Sequence, residues 1–325
     1  MLLNLGTDSA MSTLEELSQK WPPSRLPSFD QLVEGASYSN WHGLGLLGRL
    51  QDTRPPPLLH QEFAHVLQST KAFTNGADAQ TVCELYKKLS TIVLDGGKEF
   101  VFMALGWGSE EAIKLSKVLP CCAQMEALSL SRNPLGKAGA IALADTLATS
   151  HTLTSVDVEN TNLFDDGVAV VLDALARNTK AKIQWLYISR NHLSIDGARH
   201  VAKYMAADTH LKLLSVWDNP GLGEGMAEIA RAFLHNKKTN IEMLYIGGNR
   251  PGVEASRALV DLVVEGCPKL TVLNMCVRSP GGLWVTSADT CDLEADARSQ
   301  LMTAAARRPE AWGYPELAVN LDGDC

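Results

Sequence analysis

Between residues 100 and 275 the apolar positions fall into one short pattern that keeps returning. Met125, Leu128 and Leu130 are followed by Asn133, and Leu153, Val156 and Val158 by Thr161. Ile183, Leu186 and Ile188 are followed by Asn191, Leu211, Leu214 and Val216 by Asn219, and Ile241, Leu244 and Ile246 by Asn249. A leading copy runs Phe100, Met103, Leu105, and a trailing copy Leu270, Leu273, Met275. The third apolar position advances by 25, 28, 30, 28, 30 and 29 residues from copy to copy. Inside a copy, apolar and polar residues alternate, so each predicts a short strand. The asparagine marks the turn after the strand, where its amide can satisfy backbone groups of neighbouring coils. A spaced glycine comes next (Gly139, Gly167, Gly197, Gly225), and then apolar residues at helical spacing. Helices are predicted over 140–149, 168–177, 198–207, 226–235 and 253–265. A unit of strand, turn and helix repeated at this interval predicts a solenoid, in which each coil buries its apolar face against its neighbours.

The blocks and their spacing resemble the leucine-rich repeat family, and within it the ribonuclease-inhibitor-like class. That resemblance covers about residues 80–278. It implies an α/β arc or horseshoe of about seven repeats, with a parallel concave sheet and convex helices. Thr161 and Arg278 stand where the family has asparagine, and the copy at Phe100 has Gly108 there with a shortened turn. The first and last copies are the ends of the array, where atypical repeats are expected. NOD-like receptors and Ran GTPase-activating proteins share this repeat class, so the fold by itself selects no function.

The predicted organisation is a flanking arm over 1–78, the repeat domain over 79–278 and a second arm over 279–325. The first arm carries a predicted helix over 12–20 opened by Ser12 and Glu15, ended by Pro22 and Pro23, and a helical run over 58–68. A further helix over 81–92 closes the first coil, and one over 292–307 lies in the second arm. Trp21, Trp41, Trp284 and Trp312 make both arms unlike solvated tails. They either cap the open ends of the solenoid or dock on a partner.

Composition narrows the classes. The 325 residues carry a net charge of −8 with a pI near 5.5, which disfavours binding a bare phosphate backbone. No apolar run approaches the roughly 20 residues that span a bilayer. Seven cysteines cannot all pair within one chain, and no Asn-x-Ser/Thr sequon occurs. Both facts lean towards a reducing, intracellular and cytoplasmic setting.

Motifs for chemistry do not hold up. Gly43, Gly45 and Gly48 match a dinucleotide fingerprint, but no strand precedes them and Pro55–Pro57 breaks the chain soon afterwards. Cys121 and Cys122 are adjacent and the others scattered, without zinc spacing. The histidines are dispersed. No catalytic residue, cofactor site or metal site is expected, and the chain reads as a non-enzyme.

The concave positions of the strands stand out instead. They include Trp185 and Tyr187, then Trp217, then Met243 and Tyr245 on three successive copies, in a chain only 6% aromatic. Parallel strands lie about 4.8 Å apart, so these side chains share one patch. Arg132, Asp157, Glu159, Arg190 and Asp218 are predicted around it, solvated on an open face. Aromatics and arginine dominate interface hot spots, so the expected function is a protein-interaction module or scaffold holding a protein partner there. The competing expectation is that one of the chain's own arms covers the patch. Two other classes remain: a GTPase-activating regulator of the Ran type, whose strongly acidic C-terminal region this chain lacks, and an architectural subunit of a large complex.

Overall fold

The computed structural model describes residues 55–70, 76–275, 295–312 and 318–320. The predicted helix over 12–20, the glycine motif at 43–48, and Trp21, Trp41, Trp284 and Cys276 lie outside the described residues. Pro56–Cys325 forms one compact unit.

Two helices lead into the array, α1 (His60–Thr70) and α2 (Gly76–Gly96), joined by the Phe63 and Tyr86 rings stacked at 3.7 Å. Strands and helices then alternate: β1 (Glu99–Val101), α3 (Ser109–Val118), β2 (Ala127–Ser129), α4 (Gly136–Thr149), β3 (Ser155–Asp157), α5 (Phe164–Arg177) and β4 (Trp185–Tyr187). They continue through α6 (Ile195–Ala207), β5 (Leu213–Ser215), α7 (Met226–His235), β6 (Met243–Tyr245), α8 (Val253–Asp261) and β7 (Val272–Asn274). Last come α9 (Ala295–Trp312) and β8 (Ala318–Asn320). All eight strands are parallel and lie side by side in chain order, each joined to the next through a helix.

The register stacks the middle residue of every strand. Phe100, Leu128, Val156, Leu186, Leu214, Leu244, Leu273 and Val319 form one column. From Leu128 to Leu273 none is more than 2% exposed. Leu130, Ile188 and Val216 form a parallel buried column, which the helices close with residues such as Leu143, Val171, Val201 and Phe233. The core is therefore a continuous seam between sheet and helices, and it has no centre.

Several helices begin earlier than the sequence predicts, α4 at Gly136 and α5 at Phe164, because the spaced glycine lies inside the first turn. A Cβ on Gly167 would stand 2.9 Å from Cβ of Leu163 and 3.4 Å from Cα of Lys137 in the preceding coil. A Cβ on Gly225 would meet Cβ of Ala198 at 2.7 Å. The glycine lets successive helices start against one another, and the helical period becomes visible only after it. At the other end, α8 gives way to a π-turn over Leu262–Gly266, where the pattern predicts continuous helix to 265.

The pattern also predicts strands only as far as β7. The eighth stands outside the spacing, with Val319 pairing Leu273 from 46 positions further on. Helix α9 packs on α8 and its π-turn, and buries Leu301, Ala304 and Ala305.

The turn asparagines behave as the repeat requires. Asn133, Asn191, Asn219 and Asn249 are all completely buried. The Asn191 amide donates to the carbonyls of Val158 (2.7 Å), Ile188 (3.2 Å) and Ser189 (3.1 Å). Its oxygen accepts from the Thr161 N–H and hydroxyl and from the Leu163 N–H, each at 3.1 Å. Val158, Thr161 and Leu163 belong to the preceding coil, so one side chain ties two turns together. Asn219 repeats the arrangement one coil on, accepting from Asn191 N (2.8 Å) and Leu193 N (3.2 Å). Thr161 takes over part of the role through its hydroxyl, which donates to Val158 O at 2.6 Å. Replacing Asn191 with alanine is expected to cost about 1–3 kcal/mol, because buried backbone groups lose their partners. Urea unfolding of the variant measures this, and an unchanged midpoint would contradict it.

Among the described residues Cys83, Cys121, Cys122 and Cys267 are free thiols. Cys122 is buried, and burial pushes its thiol pKa up to about 12. Thiolate is the reactive form, so exposed Cys121 should alkylate near neutral pH while its neighbour resists until the array unfolds. Peptide mapping after iodoacetamide treatment reads both sites; equal labelling of the native protein would contradict the assignment.

Candidate interaction surface

The open face of the sheet is organised in rows set by the register. One row runs Ala127, Ser155, Trp185, Leu213, Met243, Val272. The next runs Ser129, Asp157, Tyr187, Ser215, Tyr245, Asn274. One position beyond the buried third column lie Ser131, Glu159, Ser189, Trp217 and Gly247. In the second and third of these rows small residues separate the large ones. Ser215 stands between Tyr187 and Tyr245, and Ser189 and Gly247 flank Trp217. Both serines are buried, with hydroxyls 2.7 Å apart. The fold places Trp185, Tyr187, Trp217, Met243 and Tyr245 on one surface, and all five are partly exposed.

The polar groups around them divide. Arg132 is exposed and Glu159 partly so. Asp157 departs from the solvated state the sequence predicts: it points outward but is only 4% exposed. Its carboxylate accepts from the Ser129 hydroxyl at 2.7 Å and from the Glu159 N–H at 3.0 Å. It is therefore a structural acceptor that joins two strands. Burial, reinforced by the charge of Asp157 and then by Tyr245 and Glu159, holds the Tyr187 hydroxyl protonated well above the usual tyrosine range.

Arg190 and Asp218 form a cluster that the sequence does not show. The Arg190 Nε donates to an Asp218 carboxylate oxygen at 2.9 Å, and its guanidinium lies 5.2 Å from the centre of the Trp217 ring. Both residues occupy the position just before a turn asparagine. There the backbone is left-handed in coil after coil: φ is 60° at Arg132, 53° at Asn160, 56° at Arg190, 54° at Asp218 and 75° at Gly248. Such a conformation is costly for residues other than glycine. Cross-coil hydrogen bonds hold it in place, Arg132 N–H to Glu159 O at 2.8 Å and Arg190 N–H to Trp217 O at 3.0 Å. The signal for this row was present in its composition, since Asn160, Asp218 and Gly248 are residue types that tolerate positive φ.

Parallel strands in unbroken order, one helix per connection and an asparagine ladder in the turns decide the architecture. The fold is a leucine-rich repeat solenoid. A family model described as Leucine Rich repeat matches residues 122–144, the segment holding β2 and the first part of α4. Among solved structures, the chain is similar to one described as "Leiomodin-1 Actin-Binding Site 2 (ABS2)". That similarity covers 39% of this chain and 76% of the other, at 16% identity and a TM-score of 0.35. The leucine-rich repeat is widely an interaction scaffold, and this solenoid displays surface accordingly. Among the described residues no helix is long and apolar enough to cross a membrane.

Proposed function

We propose that this solenoid is a non-enzymatic protein-interaction module that holds a protein partner on the open face of its sheet. The observation that carries the reading is the concentration of Trp185, Tyr187, Trp217, Met243 and Tyr245 on β4 to β6 and the turns after them. The core has no use for these side chains, because the buried columns are filled by leucine, isoleucine and valine. Large aromatic groups left partly in water, with a guanidinium stacked beside one of them, match the composition of binding hot spots. Glu159, Arg132 and the Arg190–Asp218 pair lie around them and give the partner polar contacts at the rim. Asp157 supports that rim from below and is too buried to be a first contact.

The test is a parallel capture from native extract with the full chain and with a Trp185→Ala/Tyr245→Ala variant of unchanged melting temperature. The reading expects a defined protein retained by the first and lost from the second. Equal retention by both would place the interaction elsewhere, and GTP hydrolysis stimulated in a captured GTPase would replace the scaffold reading with a regulatory one.

A further inference from the structure

On the helical side, an asparagine amide ties the C-terminal ends of neighbouring helices at some junctions and is missing at the one between α5 and α6. The residue after α5, α6 and α7 accepts hydrogen bonds from the turn beyond it. Asn178 Oδ1 accepts from Lys180 N (3.0 Å) and Ala181 N (2.9 Å), and Asp208 Oδ2 from His210 N (3.1 Å) and Leu211 N (2.8 Å). An asparagine at this position also has an amide to donate. Asn178 Nδ2 donates back to Leu147 O (2.8 Å) and Ser150 O (2.7 Å), tying the end of α5 to that of α4. Asn236 Nδ2 does the same to Met205 O (2.8 Å) and Asp208 O (2.5 Å), tying α7 to α6. Between α5 and α6 the residue is Asp208, whose carboxylate has acceptors and no donor. No such clamp forms there, and α5 and α6 touch less extensively than α4 and α5 do.

At that junction a groove of about 380 Å³ opens between the two helices. Part of its wall is apolar, formed by Leu172, Ala176 and Ile183 among others, and polar and charged side chains make up the rest. Two oxygen acceptors reach into it. Tyr204 is 9% exposed, yet among the described residues its hydroxyl makes no hydrogen bond. Asp208 is half-buried, and only one of its carboxylate oxygens is used by the turn. Burial raises the Asp208 pKa despite the turn N–H groups and the His210 charge that oppose the shift, and burial, with the Asp208 charge second, raises that of Tyr204. Lys203 is held 3.3 Å from Asp173 at the rim, and His210 is 3.3 Å from the Thr209 hydroxyl. His200 also lines the edge.

We propose that this groove is a binding site for an organic ammonium ion carried on an apolar body. The volume lies in the range of small-molecule sites, which combine apolar walls with a few converging polar groups. An ammonium supplies donors and positive charge to the Asp208 carboxylate oxygen that the turn leaves unused, alongside His210, and the Tyr204 oxygen can accept a further N–H. A ring or short alkyl body fills the space between Leu172, Ala176 and Ile183. A carboxylate ligand would meet Asp208 as a like charge, and a neutral alcohol would leave that charge uncompensated.

Tryptamine is the probe, with the neutral analogue tryptophol and the anion indole-3-acetate as controls, titrated into the full chain at about pH 8 by ligand-observed NMR and calorimetry. The expected result is saturable binding of tryptamine, at least about tenfold tighter than tryptophol, with no binding of indole-3-acetate. Asp208→Asn should weaken tryptamine at least tenfold, and this variant keeps the turn acceptor that Asn178 and Asn236 already use. Tyr204→Phe, which removes only the hydroxyl, should weaken it several-fold. Equal binding of the three indoles, or tryptamine affinity unchanged by Asp208→Asn, would overturn the proposal.

Discussion

Replacing Leu214 with alanine is expected to destabilise the solenoid by about 2–5 kcal/mol, the cost of lost transfer energy plus a cavity that the neighbours cannot fill. Leu214 is 0% exposed at the middle of β5, paired with Leu186 on one side and Leu244 on the other. Each neighbour in that column is itself pinned by the sheet register, so none can shift sideways to refill the space. Leu186, equally buried, should behave the same way. In an array whose coils contact only their neighbours, the damage stays local. Amide exchange should accelerate most in β4 to β6 and their helices. A loss below about 1 kcal/mol, or exchange accelerated evenly over the whole array, would contradict the packing described.

The fold was legible because the repeat reports its own errors. A single Leu-x-Leu proves nothing, but seven copies at near-constant spacing fix which residues face inward, since a slip of one position would expose a whole column. The turn asparagines were legible for the same reason, and the hydrogen bonds of Asn191 show why that residue type recurs. What escaped were features that do not repeat. Strand β8 is three residues long and stands off the spacing. The Asp157 carboxylate looks like a surface charge in one dimension, and only the strand beside it, through Ser129, turns it into a buried acceptor. The Arg190–Asp218 pair joins residues 28 positions apart that meet only when coils stack. The groove beside Asp208 depends on the lack of one amide hydrogen-bond donor, where Asn178 and Asn236 provide one. The aromatic positions of the open face were readable from strand alternation alone; how much of each ring meets water was not.

Replacing Trp217 with alanine tests the central claim most directly, provided affinity and stability are measured on the same protein. The indole is partly exposed, with the Arg190 guanidinium 5.2 Å from its centre. It adds nothing to the buried columns, so the folded state should lose little, the cation–π contact with Arg190 being worth about 0.5–1 kcal/mol at an exposed site. If the open face holds the partner, the same change should cost about 2 kcal/mol or more in binding, roughly a 30-fold rise in Kd. The measurement is a titration of the captured partner alongside a thermal melt of the free chain. The account predicts a markedly weaker complex with Tm nearly unchanged. A clear fall in Tm with intact affinity would mean that the chain itself covers Trp217, and would contradict the proposal that this face is the partner's site.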